Sequence, residues 1–338
     1  MDLQPIQNVY FIGIGGIGMS ALARYFNANG KKVCGYDRTP TEITEMIEKE
    51  GIKVHFTDDV NAIPASFKDK RTTLVVYTPA VPKDHKELNY FQQNGYEVVK
   101  RSEVLGFITK NTFCLAVAGT HGKTTTSSIL AHLLVEAGAS VSAFLGGIAE
   151  NFNSNLVLKG SEYTVAEADE FDRSFLRLSP NIACITSMDA DHLDIYGDKQ
   201  HLIEGFREFA GKIKPGGSLI VRNGLDIEGE TYGLEDNADY TFQNITVKNG
   251  IYHFDFHYKG GVYKDYTLLK PGRHNLLNAL AAVAVAHQAG YPLADLAHAL
   301  ASFKGVKRRF SYVINTPEQV FIDDYAHHPT ELNALYNG

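Results

Sequence analysis

At ~100–200 residues per domain, 338 residues suggest two domains or slightly more, and 44% hydrophobic content suffices for sizeable cores. A net charge of -7 and a pI near 6.0 argue against broad electrostatic binding to nucleic acid or an anionic membrane. No apolar run reaches the ~18 residues of a membrane span. No basic-then-apolar leader precedes the first strand, and Cys34, Cys114 and Cys184 stand singly in apolar stretches. Reduced, buried thiols of a cytoplasmic protein are the expectation.

Short apolar runs at 9–12, 32–36, 53–56, 73–77 and 97–99 predict strands. Helical patterns at 20–28 and 42–50 lie between them, each stopped by a glycine, Gly30 or Gly51. This alternation predicts a parallel, doubly wound α/β sheet. The run Gly13-Ile14-Gly15-Gly16-Ile17-Gly18 follows the first strand and opens a helix, and Asp37 ends the second strand. That is a dinucleotide-binding arrangement: the backbone closely approaches a diphosphate and a carboxylate can accept from a ribose. The chemistry is generic to nucleotide diphosphates, so NAD and a dehydrogenase remain open on this fingerprint alone. Residues 101–112 read as a helix and connector into a second domain.

The strand–loop–helix pattern restarts at 113–118, followed by Gly119-Thr120-His121-Gly122-Lys123-Thr124-Thr125. Backbone N–H groups there point at an anion and the helix N-terminus adds partial positive charge. Lys123 can reach β- and γ-phosphates, and the Thr124 hydroxyl can ligate Mg²⁺. Only two residues separate Gly119 from Gly122, where a Walker A loop has four. Further strands are predicted at 163–166, 182–187 and 218–221. Glu167, Asp169, Glu170 and Asp172 follow the first of these, and a carboxylate at that end of a strand suits Mg²⁺. His192 sits among Asp189, Asp191 and Asp194 after the second, where it could bind a cation or orient a phosphate.

Residues 245–269 alternate apolar and polar, with Asn249-Gly250 and Gly260-Gly261 as turns, predicting an antiparallel meander. An alanine-rich helix is predicted at 275–289 and another at 293–302. Asn275 and Asn278 share a face of the first and can cap it or pair with an adenine edge. Lys307-Arg308-Arg309 precedes a strand at 310–314 and can meet phosphates. Val320-Phe321-Ile322 reads as a buried strand, followed by Asp323-Asp324-Tyr325-Ala326-His327-His328-Pro329 and the start of a helix at 330–336. Adjacent residues of extended chain point oppositely, so metal binding by that Asp/His run is not expected. A strand and one or two helical turns cannot make a domain, so the chain is expected to be cut from a longer one.

Taken in order, these segments resemble the Mur ligase family, ATP-dependent amino-acid ligases of bacterial cell-wall synthesis. The likeness rests on the Gly119–Thr124 loop, Glu167-Ala168-Asp169-Glu170, Asp191-His192-Leu193-Asp194, His274-Asn275-Leu276-Leu277-Asn278-Ala279, Arg308-Arg309-Phe310 and the Asp-Asp-Tyr-Ala-His-His-Pro run. The short phosphate loop is this family's own form. The resemblance implies three domains: a Rossmann-like UDP-sugar domain at 1–108, a central P-loop ATPase domain at 109–316, and a Rossmann-like third domain begun at 317–338. It implies that ATP phosphorylates the lactyl carboxylate of UDP-N-acetylmuramate and that L-alanine attacks the acyl phosphate. Lys123, Glu167 and His192 would be catalytic, with Thr124 and Glu167 on one Mg²⁺ and His192 on a second. Gly119, Thr120, Gly122, Lys123, Thr124, Thr125, Asn275, Asn278, Arg309 and Asp324 would bind ATP. Gly15, Gly16, Gly18, Asp37, Arg101 and His121 would bind the UDP-sugar. A monomer or homodimer, without nucleic-acid or membrane partners, is the expectation, binding the nucleotide sugar but turning over poorly. Sister ligases use a carbamylated lysine after the Asp-His segment; Arg207 stands nearest that place here, so none is expected. The rival within the family attaches a whole tripeptide to the same UDP-sugar.

Overall fold

The structure, a computed structural model, describes residues 3–189, 198–316, 318–326, 332, 333 and 336. His192 and its neighbours Asp191 and Asp194 lie outside the described residues, as do His327, His328 and Pro329. Two compact units form, Met1–Ile108 and Thr109–Gly338.

In the first unit β1 (Asn8–Ile12), α1 (Ile17–Ala28), β2 (Lys32–Tyr36), α2 (Glu42–Lys49), β3 (Lys53–His55), β4 (Thr73–Tyr77), α3 (Lys86–Gln93), β5 (Glu97–Lys100) and α4 (Arg101–Lys110) follow in turn. The strands run parallel in the order β3-β2-β1-β4-β5. All five residues of β1 are buried, which is why it reads as one apolar run. The order reverses between β1 and β4, the place where α/β sheets open a ligand crevice. Tyr10, Ile12, Val75, Leu88 and Phe91 lie in one of its hydrophobic clusters.

The second unit runs β6 (Phe113–Ala118), α5 (Lys123–Glu136), β7 (Val141–Ala149), β8 (Ser154–Leu158), β9 (Tyr163–Ala168), β10 (Ile182–Ile185), α6 (Lys199–Ala210), β11 (Ser218–Arg222), β12 (Glu230–Leu234), β13 (Tyr240–Lys248), β14 (Ile251–Tyr258), β15 (Gly261–Leu268), α7 (Arg273–Gln288), α8 (Leu293–Ala301), β16 (Ser311–Asn315) and β17 (Val320–Asp323). Ten strands form one sheet, β15-β14-β13-β12-β11-β10-β6-β9-β7-β8. It is parallel from β13 to β7 and antiparallel at both margins, through β8 and the β13–β15 meander. Helix α7 is buried from Ala279 through Ala286, so small alanines let it pack closely against α5. Cys34, Cys114 and Cys184 are buried, unbridged thiols. No helix among the described residues is long and apolar enough to cross a membrane.

Three sequence expectations change. Strand β9 runs on to Ala168, so Glu167 sits within it rather than after it. The strand expected at 182–187 stops at Ile185, and the Thr186 and Ser187 side chains bond His121 of the second glycine loop. Val320, Phe321 and Ile322 do form a strand, but an exposed one (57%, 58% and 40%), paired among the described residues only with β16 in a two-stranded antiparallel sheet.

Candidate active site

The turn from β6 into α5 builds the second glycine loop, at residues 119–125. Gly119 and Gly122 take φ of 131° and 84°, left-handed backbone that favours glycine. Space requires glycine as well. A Cβ on Gly119 would fall 2.2 Å from Thr186 Oγ1, and one on Gly122 2.4 Å from Asn278 Oδ1. The loop is thus wedged between the end of β10 and the first turns of α7. Thr120 N donates to the Ser187 carbonyl at 3.2 Å, and His121 N donates to Ser187 Oγ at 2.8 Å. Thr186 Oγ1 donates to the Ala118 carbonyl at 3.1 Å. Sequence reading took Thr186 and Ser187 only as strand residues; a hydroxyl pair at a strand's C-terminal end was the available signal.

Lys123 opens α5, and its ammonium donates to the Gly119 carbonyl (2.6 Å) and to both oxygens of Glu170 (2.9 and 2.8 Å). Glu170 is fully buried. Burial pushes its carboxyl up, and the Lys123 charge opposes that shift. Thr124 Oγ1 donates to Glu167 Oε1 at 3.0 Å. The other oxygen of Glu167 accepts from Gly146 N at 2.9 Å, from the irregular stretch of β7. Burial also raises the Glu167 carboxyl, against the Lys123 charge and the Thr124 and Gly146 hydrogen bonds. A hydroxyl and a carboxylate so placed offer the oxygen ligands that a hard divalent cation takes. Gly146 was missed in the sequence, although a Gly-Gly pair inside an apolar strand suggests close backbone approach.

A cleft beside the loop is lined by His121, Gly122, Thr125, Asn275, Asn278, Arg309 and Asp324, all singled out from sequence, and by Arg222, Tyr232 and His274. Arg222 and Tyr232 end β11 and lie in β12; only sheet order brings them here. Asn278 Oδ1 accepts from Thr126 Oγ1 at 3.3 Å, linking α7 to α5, and Asn275 Nδ2 donates to the Pro271 carbonyl at 2.6 Å. His121 Nε2 lies 3.6 Å from Asp189 Oδ2. Asp324 accepts from Phe310 N and Ala326 N, each at 2.7 Å, so it first holds its own loop. The Arg309 guanidinium stands 5.4 Å from the Tyr325 ring centre, within cation–π range. Among the described residues no group of three or more His, Cys, Asp or Glu could hold a metal alone.

In the first unit Asp37 Oδ2 accepts from Gly15 N at 2.6 Å, and its Oδ1 accepts from Arg38 N at 2.7 Å. Asp37 therefore clamps the glycine loop. A Cβ on Gly15 would fall 2.7 Å from Thr44 Cγ2, and one on Gly18 2.6 Å from Arg101 Nη1. Arg101 thus lies across Gly18, two of the expected residues in contact. Gly16 caps α1, and a Cβ there would meet nothing closer than 3.5 Å.

Comparison with known proteins agrees with this geometry. The Mur ligase family catalytic domain matches residues 8–112, and the Mur ligase middle domain matches 117–286. A UDP-N-acetylmuramate–L-alanine ligase of Christiangramia forsetii is 57% identical over 336 residues, 99% of this chain and 74% of the relative. The crystal structure of UDP-N-acetylmuramate–alanine ligase from Thermotoga maritima has a TM-score of 0.86 at 32% identity, over 97% of this chain and 76% of that one. The UDP-N-acetylmuramate:L-alanyl-γ-D-glutamyl-meso-diaminopimelate ligase of Neisseria meningitides gives 0.78 at 25% identity, over 90% and 100%. None of these likenesses supports a dehydrogenase. Two family models that between them span both glycine loops, and a relative above half identity over nearly the whole chain, show that this chain belongs to the Mur ligase family.

Proposed function

We propose that this chain is an ATP-dependent ligase that joins L-alanine to the lactyl carboxylate of UDP-N-acetylmuramate. The observation that carries the reading is Lys123, Thr124 and Glu167 gathered at a phosphate loop, in a chain 57% identical to a relative bearing that name. The tripeptide-adding alternative stands at 25% identity and no feature of the site favours it.

A lactyl carboxylate oxygen attacks the γ-phosphorus of ATP, the bond to ADP breaks, and an acyl phosphate forms. The alanine amine then attacks the acyl carbon, losing a proton as inorganic phosphate departs and the amide forms. Phosphoryl transfer needs charge neutralisation and in-line positioning more than covalent help. With Thr120 N and His121 N held by Ser187, the N–H groups of residues 122–125 at the α5 N-terminus would cradle phosphate oxygens, and the Lys123 ammonium would neutralise γ-phosphate charge. Thr124 and Glu167 would hold Mg²⁺, which when bound supplies further charge neutralisation to the phosphates. We assign His192 a second Mg²⁺ from its place in the family motif. Asn275 and Asn278 would read the adenine edge, with Thr120 and Thr125 nearer the phosphates and Arg309 and Asp324 also contacting ATP. Gly15, Gly16 and Gly18 would approach the UDP diphosphate, with Asp37 and Arg101 beside them and His121 toward the muramoyl group. Gly16 supports this reading, since a Cβ there would meet no atom of the described residues closer than 3.5 Å and the glycine is thus not explained by crowding among them. Three domains, divided at 108/109 and 316/317, a cytoplasmic location and a monomer or homodimer complete the proposal.

Calorimetric titration with UDP-N-acetylmuramate, with UDP-glucose and NADH as controls, tests it. Selective binding of the muramoyl nucleotide is expected. NADH binding with no response to the muramoyl nucleotide would overturn the reading.

A further inference from the structure

Glu170 has no part in the ligand sets above, yet it is the partner of the loop lysine. Its side chain is 0% exposed, and both its oxygens accept from Lys123 Nζ. The remaining direction of the ammonium goes to the Gly119 carbonyl at 2.6 Å. A lysine ammonium has three donors and a compact charge. Here those donors are engaged inside the protein, although a phosphate-binding lysine must point at phosphate. Chain geometry explains the division of labour. Glu167 lies within β9 and faces Thr124 and Gly146. Glu170 lies beyond the strand end, where the chain turns into a 3-10 turn at Phe171–Arg177, and so reaches Lys123 instead. Two carboxylates of one short segment thereby take different partners, Glu167 the Thr124 hydroxyl and Glu170 the Lys123 ammonium.

We propose that Glu170 is a positioning residue for phosphoryl transfer: it holds Lys123 in the resting protein and yields it to the terminal phosphate of ATP. The inference rests on the loop being the ATP site. A carboxylate and a terminal phosphoryl oxygen are alternative partners for one ammonium. The γ-phosphate must therefore displace Glu170 to engage Lys123 fully, whereas ADP competes for the ammonium only through its β-phosphate and displaces Glu170 less. The resting pair also spares Lys123 from being buried as a lone charge.

The test is a double-variant cycle on the 338-residue chain. Wild type, Glu170→Gln, Lys123→Met and the double variant are titrated with the β,γ-imido analogue of ATP and with ADP, both with Mg²⁺. Glu170→Gln is expected to bind the analogue about tenfold more tightly, the size of one charge-assisted hydrogen bond no longer competing. ADP affinity should rise by clearly less than that of the analogue, about threefold at most, and both effects should vanish in the Lys123→Met background. A merely structural role would weaken both nucleotides alike and persist without Lys123. Melting curves without nucleotide report folding, and Glu170→Asp, which lengthens the ion pair, serves if Glu170→Gln does not fold; its expected tightening is smaller but in the same direction. Unchanged or weaker analogue binding in a folded variant, with wild type still binding, overturns the inference alone. Failure of wild type to bind either nucleotide overturns the ATP-site reading and the inference with it.

Discussion

Glu167 owes its orientation partly to an atom that is missing. A Cβ at Gly146 would fall 2.2 Å from Glu167 Oε2, so Gly146→Ala must push the carboxylate away from Thr124. Supporting groups around a metal ligand typically contribute 10- to 100-fold in metal affinity. Gly146→Ala should therefore weaken Mg²⁺-dependent binding of the imido analogue by about that factor while the protein stays folded. A titration with and without Mg²⁺ decides it, and an unaltered Mg²⁺ requirement would count against the assignment. His132 gives a second prediction. Its Nε2 faces the Ala299 carbonyl (3.0 Å) and Ser302 Oγ (2.8 Å), and its buried Nδ1 has no partner among the described residues. Burial lowers its pKa, so the unfolded chain takes up a proton before the folded one does. The neutral ring's contribution is thus present above the ordinary histidine range and lost as pH falls through it. His132→Gln should flatten the decline in melting temperature between about pH 7 and pH 5. An unchanged slope would show that other groups govern acid sensitivity.

Helix α7 shows how an element can be plain in sequence while its burial is not. Its alanine run and closing Gly290 mark it as a helix, but alanine is equally at home on a surface. In the fold Ala281, Ala282, Ala284 and Ala286 are fully buried, and the helix packs beside α5 and onto β10 to β13 of the sheet. Ala282→Leu should cost about 1–3 kcal/mol through overpacking, visible as a lower urea midpoint with an unchanged slope. A neutral outcome would mean that the α5–α7 contact has slack. Strand β17 is the converse. Its Val-Phe-Ile run has the composition of a buried strand, but burial needs a covering layer. In the described structure β17 pairs only with β16, leaving its apolar side chains open.

Across the whole molecule each unit has its own hydrophobic core, one containing Tyr10, Val75 and Phe91, the other Leu130, Val165 and Ala282. Ligands that bind one unit should stabilise that unit most. At 100 times the dissociation constant the expected gain is about 2.7 kcal/mol. Amide exchange resolved along the chain should show UDP-N-acetylmuramate protecting residues around Gly15 and Gly18, and the ATP analogue protecting β6, α5 and β9. Protection of the peptides around Gly15 and Gly18 by the ATP analogue as strong as that by UDP-N-acetylmuramate would contradict the assignment of two nucleotide sites.

Both glycine loops, the alternating elements around them and the carboxylate of Glu167 were legible in the sequence because each depends on neighbours in the chain, whereas β7, β8, β12 and α6 were not anticipated. A strand, a turn that requires glycine and a helix start are written in consecutive residues. The partners of those loops were not legible. Glu170 lies 47 residues from Lys123, Gly146 lies 21 from Glu167, and Asn278 lies 152 from Thr126. Arg222 and Tyr232 reach the cleft only because β11 and β12 follow β10 in the sheet. Local propensity is set by short-range sterics and periodicity. The identity of the group that faces a given carboxylate is set by strand order and helix packing, which no short stretch of chain contains.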